Sequence, residues 1–159
     1  MWITRISLDL YGEDFSPGKF LEEVTDKIHV FSSNEQDDKK HKRTEEVYGF
    51  GSLSVLCPQI YGLQYQMAEY ENWYFDFLDK NKLLIDRHNV NEINLFIEIF
   101  HDGGQLNFEI FSRELLKKAG LYNIAIPVSY YKLTTEEIID MIKDTDIPQD
   151  RLNELIKTS

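Results

Sequence analysis

The chain predicts a single α+β domain, and three observations carry that prediction. Residues 92–100, EINLFIEIF, alternate Ile93, Leu95, Ile97 and Ile99 against Asn94 and Glu98, the period-2 spacing of a strand. SRELLKKAG (112–120) then has helical spacing, and NIAIPVSYY (123–131) returns to alternation through Ile124, Ile126, Val128 and Tyr130. Between these segments Asp102-Gly103-Gly104 turns the chain into LNFEIF, so residues 92–131 read as strand–hairpin–strand–helix–strand.

The remaining elements follow in order. Residues 2–11 alternate, with Trp2, Thr4, Ile6, Leu8 and Leu10 on one face, and Tyr11-Gly12 with Glu13-Asp14 ends the strand. Ser16-Pro17 supplies an N-cap and first helical position, ahead of Phe20, Leu21, Val24 and Ile28 on one side of a helix. His29–Phe31 form a short second strand. Residues 33–46 contain no apolar side chain and predict a mobile charged loop, whose Lys39, Lys40, Lys42 and Arg43 are flanked by acids. Residues 47–57 predict a strand with Leu53, Val55 and Cys57 facing one way. Gly49 and Gly51 mark a bulge or a close backbone approach within it, and Pro58 ends it. Residues 63–85 predict the longest helix, with Leu63, Met67, Tyr70, Tyr74, Phe77 and Leu78 as its core stripe. Pro127 marks the last strand as an edge strand or a bulge. Thr134 and Glu137 form a capping box before Ile138, Ile139 and Ile142, and Leu152, Leu155 and Ile156 give a last amphipathic helix. The organisation is thus residues 1–132 as an antiparallel or mixed sheet with helices packed on it, and 133–159 as a helical C-terminal extension of the same domain.

Assembled in this way, LDLYGEDFSPGKF (8–20), the Trp73–Leu84 part of the long helix and INLFIEIF…LNFEIFSRELLKKAGLYNIAIPVSYY (93–131) resemble an uncharacterised bacterial family, the domain of unknown function 4279. The resemblance rests on pattern and spacing and covers the greater part of the chain. It implies a bacterial α+β domain. That family has no established activity, so the resemblance transfers no catalytic residue. The loop at 33–46 and the C-terminal helices depart from the family's pattern.

Composition narrows the function classes. A hydrophobic content of 42% suits a globular protein, and no apolar run approaches the ~20 residues of a membrane-spanning helix. The opening MWITRISLDL has no signal-peptide core, and a lone Cys57 builds no disulfide framework, so an intracellular, cytoplasmic protein is expected. Net charge is −11, from 28 acidic and 17 basic residues. That balance disfavours a duplex nucleic-acid binder, which needs basic surface against phosphates, and it favours a basic protein partner.

No motif for catalysis, metal or cofactor stands out. His29, His41, His88 and His101 lack metal-site spacing. Cys57 reads as core, and His101-Asp102 as a turn facing water. One feature exceeds a plain core helix. On a helical wheel Tyr61, Tyr65, Ala68 and Phe75 lie opposite the stripe, together with Asn72, Asp76 and Asp79. Exposed aromatics among carboxylates suit protein recognition. The function read from the chain is therefore a non-catalytic protein-binding module of inhibitor or immunity type, with Tyr61, Tyr65, Trp73, Asp76 and Asp79 as its contact residues and no cofactor. The alternative is an enzyme or small-ligand binder with a pocket between sheet and long helix, lined by His101, Asp102, His88 and Cys57. A structural homodimer, with Pro127 marking an edge strand protected from further pairing, is a third form.

Overall fold

The computed structural model describes residues 2–59, 63–64, 71–103, 111–143 and 149–157. Its centre is β1 (Trp2–Gly12), which has hydrogen-bonded neighbours on both sides. β5 (Glu92–His101) pairs antiparallel along nearly all of it, from Trp2 opposite His101 to Tyr11 opposite Glu92. On the other side β3 (Gly51–Leu56) pairs with Ser7 to Gly12, and the two-residue β4 (Leu63–Gln64) pairs with Arg5 and Thr4. β2 (His29–Asn34) flanks β3, and β6 (Val128–Lys132) runs parallel to β5. The order is β2-β3-β1-β5-β6, with β4 added beside β1. The sheet is mixed, and the chain folds as one α+β domain.

Sheet alternation sends Ile6, Leu8 and Leu10 to one face with Leu53, Val55, Leu95, Ile97 and Ile99, and all are buried. Three helices cover that face: α1 (Pro17–Glu23), α2 (Glu71–Arg87) and α3 (Arg113–Leu121). Phe20, Tyr74, Phe77, Leu78, Ile85 and Leu115 are their main contributions to this core. Burial of each such large side chain contributes about 1.5–3 kcal/mol. Ser16 caps α1 by accepting from the Lys19 N–H, and Pro17 takes the first helical position, as the sequence predicts. Cys57 is fully buried in the same core.

The opposite face is covered differently. α4 (Thr135–Lys143) and α5 (Gln149–Lys157) bring Ile138, Ile142 and Leu152 onto Ile3 and Phe100, at the end of the sheet where β1 begins. The capping box is formed: the Glu137 N–H donates to Thr134 Oγ1 (3.2 Å), and the Thr134 N–H donates to Glu137 Oε2 (2.7 Å).

The structure corrects several boundaries. The long helix is described over Glu71–Arg87, and Leu63–Gln64 belong to a strand instead. Phe75, placed by the wheel on the outer side, is fully buried and meets Phe111 edge-on at 6.1 Å. The third strand begins at Gly51 rather than at 47. The charged loop is shorter and more structured than predicted. Ser33 and Asn34 end β2, Lys39 bridges Val47, and Lys39 and Lys40 pair with Glu45 and Glu46. At the other end of the chain β6 starts after Pro127 and is the last of the described strands on its side of the sheet, while Ile124 and Ile126 pack against the core ahead of it. The strand expected at LNFEIF lies outside the described residues.

One side chain closes the main seam of this arrangement. Continuing the β1–β3 register would place Cys57 opposite Ile6, between the last β3 pair and the first β4 pair. The Tyr74 hydroxyl occupies that step. It donates to the Ile6 carbonyl (2.5 Å) and accepts from the Cys57 N–H (3.3 Å). Tyr74→Phe would strip both buried backbone groups of this bond and is expected to cost about 2–4 kcal/mol. Urea unfolding of the two proteins checks this, and a change within ~0.5 kcal/mol would show that the groups find other partners.

Candidate functional site

The apolar face of the sheet leaves the odd residues of β1 on the other side: Ile3, Arg5, Ser7, Asp9 and Tyr11. α4 and α5 cover Ile3. From Arg5 onward the row is polar. Arg5 pairs with Glu98 opposite it (2.5 Å), and its guanidinium lies over the rings of Phe31 (4.8 Å) and Phe100 (5.5 Å). Asp9 stands between Ser54 on β3 and Asn94 on β5, and Tyr11 between Ser52 and Glu92.

Asp9 is only 7% exposed and accepts from the Ser54 hydroxyl at 2.5 Å. Burial pushes its carboxyl above the usual aspartate range and the Glu98 charge adds to this, while hydrogen bonds from Ser54, Ser7 and Tyr11 act against it. Across the ladder, Asn94 donates to Glu92 (3.1 Å), and its own Oδ1 is buried without a partner. Burial, and then the charges of Asp9 and Glu92, push the Tyr11 phenol up to about 12, so it stays neutral.

Beyond Tyr11 the row opens into a cleft of about 340 Å3, lined by Tyr11, Gly12, Glu13, Phe50, Asn91 and Glu92. Three strand ends build it: the close of β1, the approach to β3 and the entry to β5. Two glycines let these ends converge. A Cβ on Gly12 would sit 2.2 Å from the Asn89 carbonyl oxygen, and one on Gly51 would sit 1.9 Å from that of Phe15. The close approach read from Gly51 is therefore real. The Asn91 N–H then donates to the Tyr11 carbonyl (2.9 Å) and ties the entry of β5 to the end of β1. Phe50 meets Tyr11 edge-on at 6.1 Å and Tyr48 at 6.1 Å, and it is 37% exposed. Among the described residues, Asp9, Glu13 and Glu92 have no ion pair with a base.

Of the contact residues expected on the long helix, Trp73, Asp76 and Asp79 are described. Tyr61 and Tyr65 lie outside the described residues. Trp73 is half-buried, stacks on Phe77 at 5.5 Å and packs against the core. Asp79 is held within the molecule by Lys118 (2.8 Å) and the Tyr122 hydroxyl, which lower its carboxyl below the usual range and tie α2 to α3. Asp76 is exposed.

The residues of the alternative reading also lie apart. His88 follows α2, bonds Glu23 (3.0 Å) and meets Phe20 edge-on. Cys57 sits beneath α2, with its thiol donating to Gln59 (2.9 Å). His101 ends β5, nine residues and ~30 Å along the strand from Glu92. It does not face water as the turn reading predicts. It is 2% exposed, packed on Tyr130 at 4.5 Å, with Nδ1 accepting from the Gly103 N–H. Register explains the burial, since β1 and β6 both flank this strand end. Asp102 instead takes a hydrogen bond from Thr135 (2.5 Å). Among the described residues no group of three or more His, Cys, Asp or Glu side chains gathers to hold a metal, and no helix is long and apolar enough to cross a membrane.

The buried acid gives a pH prediction. A carboxyl whose folded pKa is raised favours the fold most below its unfolded pKa, and that contribution is lost as pH rises through the folded value. Asp9→Asn removes the charge penalty and offers Asn94 Oδ1 a donor. It is expected to raise the urea midpoint at pH 7, with the gain vanishing near pH ~3, where Asp9 itself is protonated. A gain that instead grows toward low pH would contradict the burial penalty. No protein-family model matches this chain, and no curated protein or solved structure matches it significantly.

Proposed function

We propose that this protein is a non-catalytic binding module for a basic protein partner, of the inhibitor or immunity type. The observation that carries the reading is the strand-end cleft, where Glu13 and Glu92 stand beside exposed Phe50 with no ion pair to a base among the described residues. A net charge of −11 adds a long-range field of the same sign. Aromatic side chains at a polar rim are the composition of recognition surfaces. This reading puts the contact site at the ends of β1, β3 and β5, whereas the sequence alone points to the long helix. A cytoplasmic location and kinship with the domain of unknown function 4279 family are part of the same proposal, and they rest on the sequence features given above.

The test is capture by the immobilised protein at low and at high salt, followed by reconstitution from purified components. A stoichiometric basic polypeptide is expected at low salt, released at high salt, and bound about tenfold more weakly by the Glu13→Lys/Glu92→Lys double variant. Recovery of no stoichiometric protein at low salt would sink the reading. So would a partner held equally well by the double variant.

A further inference from the structure

The cleft identifies the chemical group it receives, and this step rests on the reading of a basic partner. We propose that the cleft is a receptor for a single guanidinium group, an arginine side chain projecting from that partner.

Size comes first. About 340 Å3 lies at the lower end of ligand-site volumes and suits one long side chain rather than a folded element. Charge comes second. Glu13 and Glu92 line the cleft, and Asp9 is buried behind Tyr11, so an anion would meet repulsion from each of them. Tyr11 stays neutral and adds no charge of its own. The walls come third. The ring of Tyr11 meets that of Phe50 at 65°, and the negative face of an aromatic ring attracts a cation.

Guanidinium fits better than ammonium for two physical reasons. It is planar, so it stacks on a ring while its edge N–H groups reach carboxylates. It is also more weakly hydrated, so entry into a half-enclosed aromatic cleft costs less. The chain already builds this arrangement once on the same sheet face. Arg5 lies against Phe31 and Phe100 while Glu98 holds its edge at 2.5 Å. At the cleft Tyr11 and Phe50 repeat the rings, Glu92 and Glu13 repeat the carboxylate, and the guanidinium must come from outside.

The experiment is a titration of the isotope-labelled full chain, followed through its backbone amide signals. The probes are three short Gly/Ser peptides with a central arginine, lysine or citrulline, together with free arginine. The arginine peptide is expected to shift Gly12, Glu13, Phe50, Asn91 and Glu92 saturably. The lysine peptide should bind at least threefold more weakly, and the uncharged citrulline peptide should not bind. Glu92→Gln and Phe50→Ala should each weaken the arginine peptide about tenfold while leaving the remaining amide spectrum in place. Glu92 is exposed, so its variant keeps the test valid if Phe50→Ala perturbs the fold.

No saturable shift at these residues overturns the proposal, as does equal binding of lysine or citrulline. Free arginine binding more tightly than the peptide would also overturn it, by assigning the cleft to a small metabolite. The underlying reading fails separately. A basic partner captured by the unaltered chain and lost on the Glu13→Lys/Glu92→Lys variant, with no saturable arginine-peptide shift, refutes the guanidinium receptor but keeps the reading. Arginine-peptide binding with no captured partner supports the cleft and refutes the reading.

Discussion

The fold depends on what happens where β1 changes neighbours. A central strand with a different partner along each half of one side must leave a step in its ladder, and a buried backbone group at that step needs a bond. Tyr74 supplies it from outside the sheet, joining the Ile6 carbonyl and the Cys57 N–H through one hydroxyl. Burial raises the phenol far above its ordinary range, so the hydroxyl keeps its proton. The same contact sets the position of α2. With Tyr74 at the seam, Phe77, Leu78 and Ile85 fall over the apolar strands, and Asn81 donates to Asp26 beyond α1 (2.8 Å). Sheet register and helix placement are therefore one constraint, and the chain can leave β3 at Pro58 without orphaning its last polar group.

That constraint makes the two sheet faces unequal. Three helices cover the face carrying Tyr74, whose middle is apolar through Ile6, Leu8, Leu10, Leu53, Val55, Leu95 and Ile97. Among the described residues, α4 and α5 cover the other face only near Ile3 and Phe100. The rest is a polar row in which each side chain sits low between taller neighbours, so Ser7 and Asp9 are buried although no described helix lies over them. A carboxylate in that position costs stability through desolvation, and the Asn94 oxygen beside it has no partner. Structures tolerate such costs where a surface has a task, and this row leads into the cleft.

Much of the fold was legible because its signals are local. The Thr134–Glu137 box, the Ser16-Pro17 cap, the alternation in β1 and β5 and the closeness at Gly51 each follow from a few adjacent residues. The strand at Leu63 was not, because Leu63 falls in phase with Tyr70 and Tyr74 although its backbone pairs with Arg5. Phase alone cannot detect a strand partner 58 residues away in the sequence. Phe75 was misplaced for a related reason. A wheel built on one stripe assumes one packing partner, whereas α2 meets the sheet on one side and Phe111 on another. His101 reads as a turn residue beside Asp102-Gly103 until β6 is seen to close over it. The cleft left no local signal, since Tyr11, Phe50 and Glu92 are brought together only by the β1–β3 and β1–β5 registers.

The distribution of charge links the cleft to the whole molecule. Arg5, Lys39, Lys40, Lys80, Lys82, Arg87, Lys117, Lys118 and Lys143 are each engaged by an acid of this chain. With 28 acids to 17 bases, pairing leaves a surplus of carboxylates wherever it occurs. The unpaired acids lining the cleft belong to that surplus, and aromatic rings stand beside them. The two levels act over different distances. The overall field is screened beyond about 8 Å at physiological salt, so in the proposed complex it would set how fast a basic partner arrives. The carboxylates at the strand ends act at contact range against low-dielectric walls, so under the same proposal they would set how long it stays. Surplus charge alone would attract any basic surface. Choice among such surfaces requires local geometry, and in the proposed function the glycine-permitted convergence of three strand ends is what would supply it.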